Sequence, residues 1–309
     1  MTKVFIDGSA GTTGLRIRER LAQRADIRLI EIDEAHRKDS EAVSACLNAA
    51  DVAFLCLPDD AAREAVGLVQ NSHTVILDTS TAHRCAPGWV YGFPEIMGRD
   101  TVASAKRIAV PGCHASGVIA LLHPLIQAGI LPKESLVSCF SLTGYSGGGK
   151  KMIAQYEDPN REALLDAPRQ YALGQTHKHL AEMQRYTGLD TAPVFSPVVA
   201  DFYSGMEVTV PLFRQMLAPG KDVSDIRASY SQAYAGPIVT FAEDPDADGF
   251  LSAGAFSCLD TMRVSVFGND DRILLTARYD NLGKGASGAA IQCMNLVIGA
   301  QETDGLLLS

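Results

Sequence analysis

The sequence lacks the features that mark several common classes of protein. It has no C-x-x-C pair among its seven cysteines, no internal repeat and no low-complexity tract. Neither a disulfide framework nor a zinc site is therefore expected, and most of the cysteines, such as Cys56 in an apolar strand pattern, are expected to be small core residues. A basic stripe is also missing. The net charge of -9 argues against a nucleic-acid partner, because phosphate binding needs clustered basic residues.

Long apolar runs are missing as well. The most apolar stretch, residues 117–131, is too short to span a bilayer and contains Pro124. The chain opens on the strand-like segment 4–6, with no charged and apolar segment typical of a secretory signal before it. We therefore expect a cytoplasmic protein with no membrane partner. A length of 309 residues favours two lobes over one.

The chain changes its pattern after the first third. Short β-branched runs first alternate with helical patterns, which predicts an N-terminal Rossmann-type α/β domain with a parallel sheet and crossover helices. The predicted strands are 4–6, 28–32, 52–57, 74–78 and 108–110, and the predicted helices are 15–22, 40–49 and 61–70. Longer alternating segments then predict antiparallel strands at 136–142, 207–211 and 272–278.

These patterns predict a second, α+β domain containing a mixed, largely antiparallel sheet. We place the dinucleotide-binding domain at 1–113 and the catalytic, substrate-binding and oligomerisation domain at 114–284. The apolar C-terminal segment from about residue 285 to 309 is predicted to return to the first domain as a helix.

A glycine-rich turn follows the first predicted strand and precedes a helix. It suits a dinucleotide pyrophosphate, because glycines let the backbone approach phosphate and a helix N-terminus offers N–H donors. The alternative is a tight turn without function. The residues that would bind are Gly8, Gly11, Thr12, Thr13 and Gly14.

The choice between NAD and NADP stays open on these residues alone. The second strand runs into Glu31 and Asp33, and an acid there usually binds the ribose 2′-hydroxyl of NAD. Arg37 and Lys38 follow at once and could bind a 2′-phosphate. A solvated charged loop is the alternative for these two residues.

Cys113 stands apart from the other cysteines because it lies between a strand end and an apolar helical run. A helix N-terminus stabilises a thiolate, and its N–H groups can stabilise the oxyanion formed at an attacked carbonyl. A thiolate nucleophile needs a proton partner, for which His177 and His179 are the candidates. On a helix their rings would point to different sides, and Glu182 would share the face of His179. The alternatives are a core cysteine and surface histidines.

A second glycine run, residues 144–149, ends in Lys150 and Lys151 after the predicted strand 136–142. Backbone N–H groups and ammonium groups in such a run suit contacts to phosphate. The alternative is a flexible hairpin tip.

Together these residues resemble the N-acetyl-γ-glutamyl-phosphate reductases of arginine biosynthesis, in their shorter form. The resemblance covers nearly the whole chain, and no single piece of it is specific by itself. Where longer members carry an aromatic residue after the cysteine, this chain has His114. The segments that match the family are 8–21, 78–84, 91–95, 111–113, 143–147, 177–182 and 280–286.

The resemblance implies an activity. N-acetyl-L-glutamyl 5-phosphate would be reduced by NADPH to the 5-semialdehyde through a thioester on Cys113, in a homo-oligomer of two or four chains and without a metal. One histidine of the pair 177 and 179 would act as acid and base. Besides the glycine turn, the cofactor residues would be Arg37, Lys38, Ser80, Asn281 and Lys284. The substrate residues would be Arg84, Tyr145, Ser146, Lys150 and Glu182.

Two other hypotheses are weighed against this one. An aspartate-semialdehyde dehydrogenase would share the architecture and the chemistry, but its later histidine lies in an R-x-x-x-x-x-G-H context that this sequence lacks. A non-enzymatic NADP-sensing Rossmann protein would keep the glycine turn, but it has no need for a poised thiol, two histidines and a phosphate loop together.

Overall fold

The computed structural model describes residues 1–243 and 246–309, which form two compact units. Unit 1 comprises Met1–Pro111 and Ala286–Leu306, and unit 2 comprises Gly112–Gly285 and Leu307–Ser309. The chain therefore leaves unit 1 before Gly112. Cys113, which the sequence analysis assigns to the end of the first domain, lies in unit 2.

Unit 1 contains a six-stranded sheet in which every strand pair is parallel. The spatial order is β2-β1-β3-β4-β6-β5, and this sheet confirms the predicted Rossmann-type architecture. The central strands are buried on both faces, which explains their unbroken apolar runs. The strands are β1 (Thr2–Asp7), β2 (Ile27–Ile30), β3 (Val52–Leu55), β4 (Val75–Asp78), β5 (Val90–Tyr91) and β6 (Arg107–Ala109).

Five helices accompany these strands in the first segment of unit 1. In the first of them Ile17 and Leu21, four residues apart on one face, are fully buried. The helices are α1 (Thr12–Leu21), α2 (Ser40–Ala49), α3 (Asp59–Gly67), α4 (Pro94–Met97) and α5 (Arg99–Ala103).

Unit 2 contains a seven-stranded mixed sheet in the order β11-β12-β13-β10-β7-β9-β8. Its centre is antiparallel, because β10 pairs with β13 and with β7 in opposite directions. The strands are β7 (Ser138–Gly144), β8 (Arg169–Gln170), β9 (Val194–Ala200), β10 (Met206–Phe213), β11 (Val239–Phe241), β12 (Met262–Gly268) and β13 (Arg272–Tyr279).

The mixed character predicted for this sheet is confirmed, but one strand differs from the prediction. Strand β7, predicted at 136–142 as antiparallel, begins at Ser138; it is antiparallel to β10, as predicted, but it also pairs in parallel with β9 along its whole length. The reason is the connection, because helices rather than a tight hairpin lie between β7 and β9 and carry the chain back to the same end of the sheet.

One face of this sheet is covered by helices. Alternate residues of β10, from Met206 to Leu212, are buried. A Cβ added to Gly117 would lie 2.6 Å from a methyl carbon of Val208, so glycine lets the long buried helix lie close to the strand. The helices of unit 2 are α6 (Cys113–Gln127), α7 (Gly149–Glu157), α8 (Leu180–Thr187) and α9 (Val223–Ala233).

Helix α6 keeps its course through Pro124, which has no N–H to donate to the Ala120 carbonyl one turn earlier. The Tyr234 hydroxyl donates to that carbonyl at 2.6 Å. Tyr230 on α9 donates to the neighbouring Leu121 carbonyl at 2.5 Å. The Tyr234 hydroxyl thus supplies the hydrogen bond that the proline cannot donate, and the Tyr230 hydroxyl adds a second bond to the next carbonyl.

The chain then returns to unit 1 through a π-helical turn, Gly283–Ser287, and the last helix, α10 (Gly288–Ile298). The predicted helix began at residue 285 and did not anticipate this wider turn. Ala290, Ile291 and Met294 of α10 pack into the same core as Val4 and Phe54 of the sheet. In the part of the chain that the structure describes, no helix is long and apolar enough to cross a membrane.

Candidate active site

Helix α6 presents Cys113 as its first residue, after the extended residue Gly112. The first N–H groups of a helix have no partner within the helix and carry the positive end of its dipole. Both effects favour a thiolate at this position. The predicted place of Cys113 at a helix start is confirmed, and its side chain is half-buried.

Two contacts fix the first turn of α6. The Tyr279 hydroxyl donates to the Cys113 carbonyl and accepts from the Gly117 N–H at 3.1 Å, so it bridges two groups that a regular helix would join directly. The backbone at Gly285 lies so close that an added Cβ would be 3.0 Å from the Cβ of Cys113. Cys113 is therefore contacted by Tyr279, at the end of β13, and by Gly285, six residues later.

The segment carrying His177 and His179 is not helical as the sequence analysis assumed. Helix α8 begins only at Leu180, and His179 occupies its N-cap position. The two imidazole rings therefore do not point to opposite sides. Their centroids are 4.5 Å apart and nearly perpendicular, and the His177 Nδ1 accepts from the His179 N–H at 3.1 Å.

Glu182 connects this pair to the nucleophile. Its side chain is 1 % exposed, and one carboxylate oxygen accepts from the Gly112 N–H at 3.0 Å. The other oxygen lies 3.9 Å from the His179 Nε2. The predicted proximity of Glu182 to His179 is confirmed. Because both oxygens of this buried carboxylate face other groups of the protein, Glu182 positions its neighbours. The sequence analysis expected it to contact the substrate instead.

His114 is a site residue that the sequence analysis noted but gave no role. It is 3 % exposed, its Nδ1 lies 2.7 Å from the Ser141 hydroxyl oxygen, and its Nε2 lies 2.6 Å from the Tyr171 hydroxyl oxygen. Its ring centroid is 5.8 Å from that of His177 and 5.7 Å from that of His179. Burial, followed by the nearby His177 charge, lowers the pKa of His114 to about 3, so this imidazole is neutral.

Tyr171 is a second residue that the sequence analysis missed. It follows β8 in a segment with two non-glycine residues in the left-handed region, Ala172 at φ 52° and Gln175 at φ 53°. The Gln175 side chain holds this segment on β9, since it accepts from the Phe195 N–H at 2.9 Å and donates to the Phe195 carbonyl at 2.7 Å. Only the fold reveals Tyr171, because it is 57 residues from its partner His114.

The glycine turn in unit 1 fits a dinucleotide pyrophosphate. Gly8 has φ +81°, and an added Cβ would lie 2.3 Å from the Cys56 carbonyl oxygen. A Cβ on Gly14 would lie 2.5 Å from the Gly8 carbonyl oxygen. The turn therefore requires glycine, and it leads into α1, whose first residues are Thr12 and Thr13. The bare backbone beside a helix N-terminus is the arrangement that binds phosphate.

Arg37 and Lys38 are exposed just after β2, beyond a single 3₁₀ turn, Glu34–His36. Glu31, the acid expected to bind a ribose hydroxyl, pairs with Arg18 of α1 at 2.7 Å. Both side chains line a cavity of about 110 Å³ beside the glycine turn. Arg18 is therefore another cation near the predicted nucleotide site that the sequence analysis did not select.

Ser80 and Arg84 lie at the carboxyl end of β4, where ligands bind in open α/β sheets. The Ser80 hydroxyl donates to the buried Asp78 carboxylate at 2.7 Å, and His83 Nδ1 lies 2.6 Å from the same oxygen. Arg84 is 7 % exposed and donates to the carbonyls of Val110 at 2.9 Å and of Thr79 at 3.1 Å. These bonds give Arg84 a structural role within unit 1.

The second glycine run is not a hairpin tip. It forms a 3₁₀ turn, Tyr145–Gly148, that connects β7 to α7, and Lys150 is exposed in the first turn of that helix. Tyr145 stacks on Tyr156 at a centroid distance of 4.7 Å, which is a packing role.

Ser146 is buried, and its hydroxyl oxygen accepts from the Asn281 amide at 2.9 Å. The Asn281 carbonyl oxygen accepts from the Gly205 N–H at 2.9 Å. Lys284 lies in the π-helical turn and is 2 % exposed. These three residues thus belong to the interior of unit 2 around the turn that contacts Cys113.

Two family models match the chain. The model for the semialdehyde dehydrogenase NAD-binding domain matches residues 31–105, and the model for the semialdehyde dehydrogenase dimerisation domain matches residues 113–281. An N-acetyl-gamma-glutamyl-phosphate reductase from Brucella ovis is 46 % identical over 96 % of this chain and 99 % of its own length. Its counterpart from Brucella melitensis shows the same identity and coverage. The chain belongs to the N-acetyl-gamma-glutamyl-phosphate reductase family.

Members of the wider semialdehyde dehydrogenase group share the fold. Aspartate semialdehyde dehydrogenase II from Vibrio cholerae superposes with a TM-score of 0.71 at 16 % identity, covering 97 % of this chain and 98 % of that chain. The enzyme from Francisella tularensis gives 0.72 at 13 % identity, covering 96 % and 100 %. Sequence identities this low show only that the fold is shared. The reductase family is established by the close relatives.

His114 generates a prediction about pH for this member of the reductase family. The unfolded chain protonates this residue below its ordinary pKa of 6.5, but the folded chain does so only at about 3. Stability is therefore lost as the pH falls from 6.5 towards 3, at roughly 1.4 kcal/mol per pH unit. Urea unfolding should show about 2 kcal/mol of this loss between pH 6.5 and pH 5.

The His114→Phe variant should lose this component, so that its stability depends less on pH. His73→Asn, a change at an exposed histidine in unit 1, should leave the dependence as it is. An unchanged pH dependence in His114→Phe would contradict the neutral state of the buried imidazole.

Proposed function

We propose that this protein reduces N-acetyl-L-glutamyl 5-phosphate to N-acetyl-L-glutamate 5-semialdehyde with NADPH, releasing phosphate, as a step of arginine biosynthesis. The observation that carries the proposal is the place of Cys113 at the start of α6, next to the buried His114 and near His177 and His179. A helix start poises a thiolate, and the histidines provide the proton partner that such chemistry needs. The printed names of the close relatives point to the same substrate.

In the first step the Cys113 sulfur attacks the acyl-phosphate carbonyl. The C–S bond forms, the bond between that carbon and the phosphate oxygen breaks, and a thioester remains on Cys113. The N–H groups at the start of α6 donate to the carbonyl oxygen while it carries negative charge. Because Gly112 is tied to Glu182, these donors are oriented before the substrate arrives.

When bound, NADPH would supply the hydride that reduces the thioester carbonyl. The alkoxide formed in this way takes up a proton to give a thiohemiacetal on Cys113. This hemiacetal gives the proton back as the aldehyde C=O re-forms and the C–S bond breaks, which releases the thiolate. We assign the accompanying proton to His179, because Glu182 lies beside its Nε2 and can stabilise its charged form. His177 is assigned to contact the substrate.

The cofactor would be held by unit 1. Backbone N–H groups of the glycine turn and the start of α1 would bind the pyrophosphate, through the residues Gly8, Gly11, Thr12, Thr13 and Gly14. The exposed cations Arg37 and Lys38 would bind the 2′-phosphate that separates NADP from NAD. Ser80, at the carboxyl end of β4, would contact the cofactor in the same unit.

Lys150 is the better candidate for the substrate phosphate. It is exposed in the first turn of α7, whereas Arg84 is buried against carbonyl groups of unit 1. Tyr145 and Ser146 lie in the 3₁₀ turn that leads into α7 and would fix its backbone. Seven cysteines, all present as thiols, support a reducing compartment such as the cytoplasm.

A homo-oligomer is part of the proposal. The face of the unit 2 sheet opposite α6 exposes large apolar side chains, and the model that matches this segment is described as a dimerisation domain. A second copy of the chain would cover this face. The exposed residues on it are Phe140, Val194, Phe213 and Leu274.

The first test replaces the nucleophile. Cys113→Ser should abolish NADP reduction by N-acetylglutamate semialdehyde and phosphate, while leaving NADP affinity nearly unchanged, because the cysteine is outside the nucleotide turn. Cys258→Ser, at an exposed cysteine, should keep full activity. Wild-type turnover in Cys113→Ser would refute the covalent mechanism.

The second test concerns the coenzyme. Neutralising Arg37 and Lys38 to glutamine should weaken NADP far more than NAD, because each charge-assisted contact to phosphate contributes roughly 1.5–3 kcal/mol. Lys106→Gln, before the amino end of β6, is the matched control and should change neither affinity. Equal weakening of both coenzymes would show that the loop does not read the 2′-phosphate.

The third test separates the two histidines. His179→Asn should lower turnover by about 10²–10⁴, the usual contribution of a positioned proton-transfer group, whereas His177→Asn should mainly raise KM. Rates for both variants across pH would distinguish these roles. The reverse pattern would assign proton transfer to His177, and two near-normal enzymes would place the proton partner elsewhere.

A further inference from the structure

His114 lies in the middle of a hydrogen-bonded chain of three side chains. Ser141 on β7 lies at one end, 2.7 Å from the His114 Nδ1, and Tyr171 lies at the other, 2.6 Å from the His114 Nε2. Ser141 is 0 % exposed and His114 is 3 % exposed, so water does not complete their hydrogen bonds. Each hydrogen in this chain must therefore find its acceptor within the protein.

The direction of these hydrogen bonds follows from the number of hydrogens available. The imidazole of His114 is neutral, because burial lowers its pKa to about 3, and a neutral imidazole has one N–H and one acceptor nitrogen. Within the residues that the structure describes, the His114 Nδ1 is the one partner of the Ser141 hydroxyl. The buried Ser141 hydrogen must be donated to it, since otherwise it would have no acceptor.

The remaining assignments follow in turn. If Nδ1 accepts, the imidazole hydrogen is on Nε2, and that group donates to the Tyr171 oxygen. The hydrogen of the Tyr171 hydroxyl is then not directed at His114 and is available to a different acceptor. This hydroxyl is held close to the nucleophile because its partner His114 is the residue after Cys113 in α6. Burial and then a negative charge on Cys113 raise the pKa of Tyr171.

We propose that His114 is a positioning residue that accepts from Ser141 and donates to Tyr171, and thereby turns the Tyr171 hydroxyl hydrogen towards the Cys113 sulfur. The proposal rests on the proposed function in taking Cys113 as the nucleophile. A hydroxyl oriented in this way stabilises the thiolate, since a hydrogen bond to the charged form favours that form.

The experiment measures the reactivity of Cys113 without substrate or coenzyme. The purified full-length protein is alkylated with iodoacetamide between pH 5 and pH 10, and the modified Cys113 peptide is quantified by mass spectrometry. In Tyr171→Phe the midpoint of the pH dependence should rise by about one unit, and the rate at neutral pH should fall up to about tenfold, because the thiolate loses a donor.

Variants of His114 and Ser141 test the relay itself. His114→Phe and Ser141→Ala should each raise the midpoint in the same direction, and His114→Gln, whose amide can both accept and donate, should restore most of the wild-type value. The double variant His114→Phe with Tyr171→Phe should be no further shifted than Tyr171→Phe alone, since both changes remove one interaction. Tyr203→Phe, at an exposed tyrosine of the same unit, is the matched control.

Several outcomes would overturn the proposal. An unshifted midpoint in Tyr171→Phe would show that its hydroxyl does not act on the sulfur. Additive shifts in the double variant, with circular dichroism showing intact folds, would mean that His114 acts through packing and not through Tyr171. Ser141→Ala removes a single oxygen. If His114→Phe folds poorly, an unshifted midpoint in Ser141→Ala would by itself contradict the relay. A Cys113 in the wild type that reacts no faster than the exposed Cys258 would instead count against the proposed function.

Discussion

The N–H groups at the first turn of α6 are the constraint on which the candidate site depends. They can stabilise charge at Cys113 only if the helix starts at that residue and if its axis stays fixed. The body of α6 is buried along almost its entire length. The donor that is missing at Pro124 is replaced by the Tyr234 hydroxyl. The interior of unit 2 therefore maintains a small region of positive potential at one end of a helix.

Two neighbours of Cys113 act on the backbone at the start of α6. Glu182 accepts from the Gly112 N–H, and Tyr279 bridges the Cys113 carbonyl and the Gly117 N–H. Both interactions fix dihedral angles at the start of α6. The same carboxylate lies beside His179, so the orientation of the nucleophile and that of the proposed acid and base depend on one buried group.

Sequence patterns predicted those parts of the site that are local in the chain. The glycine turn and the place of Cys113 could be recognised because a strand, a turn and a helix lie within a few residues of each other. The predicted orientation of the His177 and His179 side chains was wrong. Their charged segment has a helical pattern, but α8 starts only at Leu180. Helical spacing therefore could not predict which way the side chains of two residues in a turn point.

His114 and Tyr171 could not be selected, because their significance depends on contacts between distant segments. Ser141 is on a strand of the sheet, His114 is on α6, and Tyr171 follows an edge strand. No local sequence pattern predicts that these three side chains are in contact. The strained residues at Ala172 and Gln175 gave no signal either, since neither is a residue type expected at positive φ.

The route of the chain has a consequence for its synthesis on the ribosome. Helix α10 completes the core around Val4 and Phe54, yet it is made after all of β1 to β13. Domains usually fold in the order of their synthesis, but here the N-terminal unit has to wait, with part of its apolar core uncovered, until α10 has emerged. Unit 2, apart from its last three residues, is available earlier. The nucleophile-bearing half can thus be folded before the nucleotide-binding half is complete, and a nascent chain that stops near residue 285 would expose the surface that α10 covers.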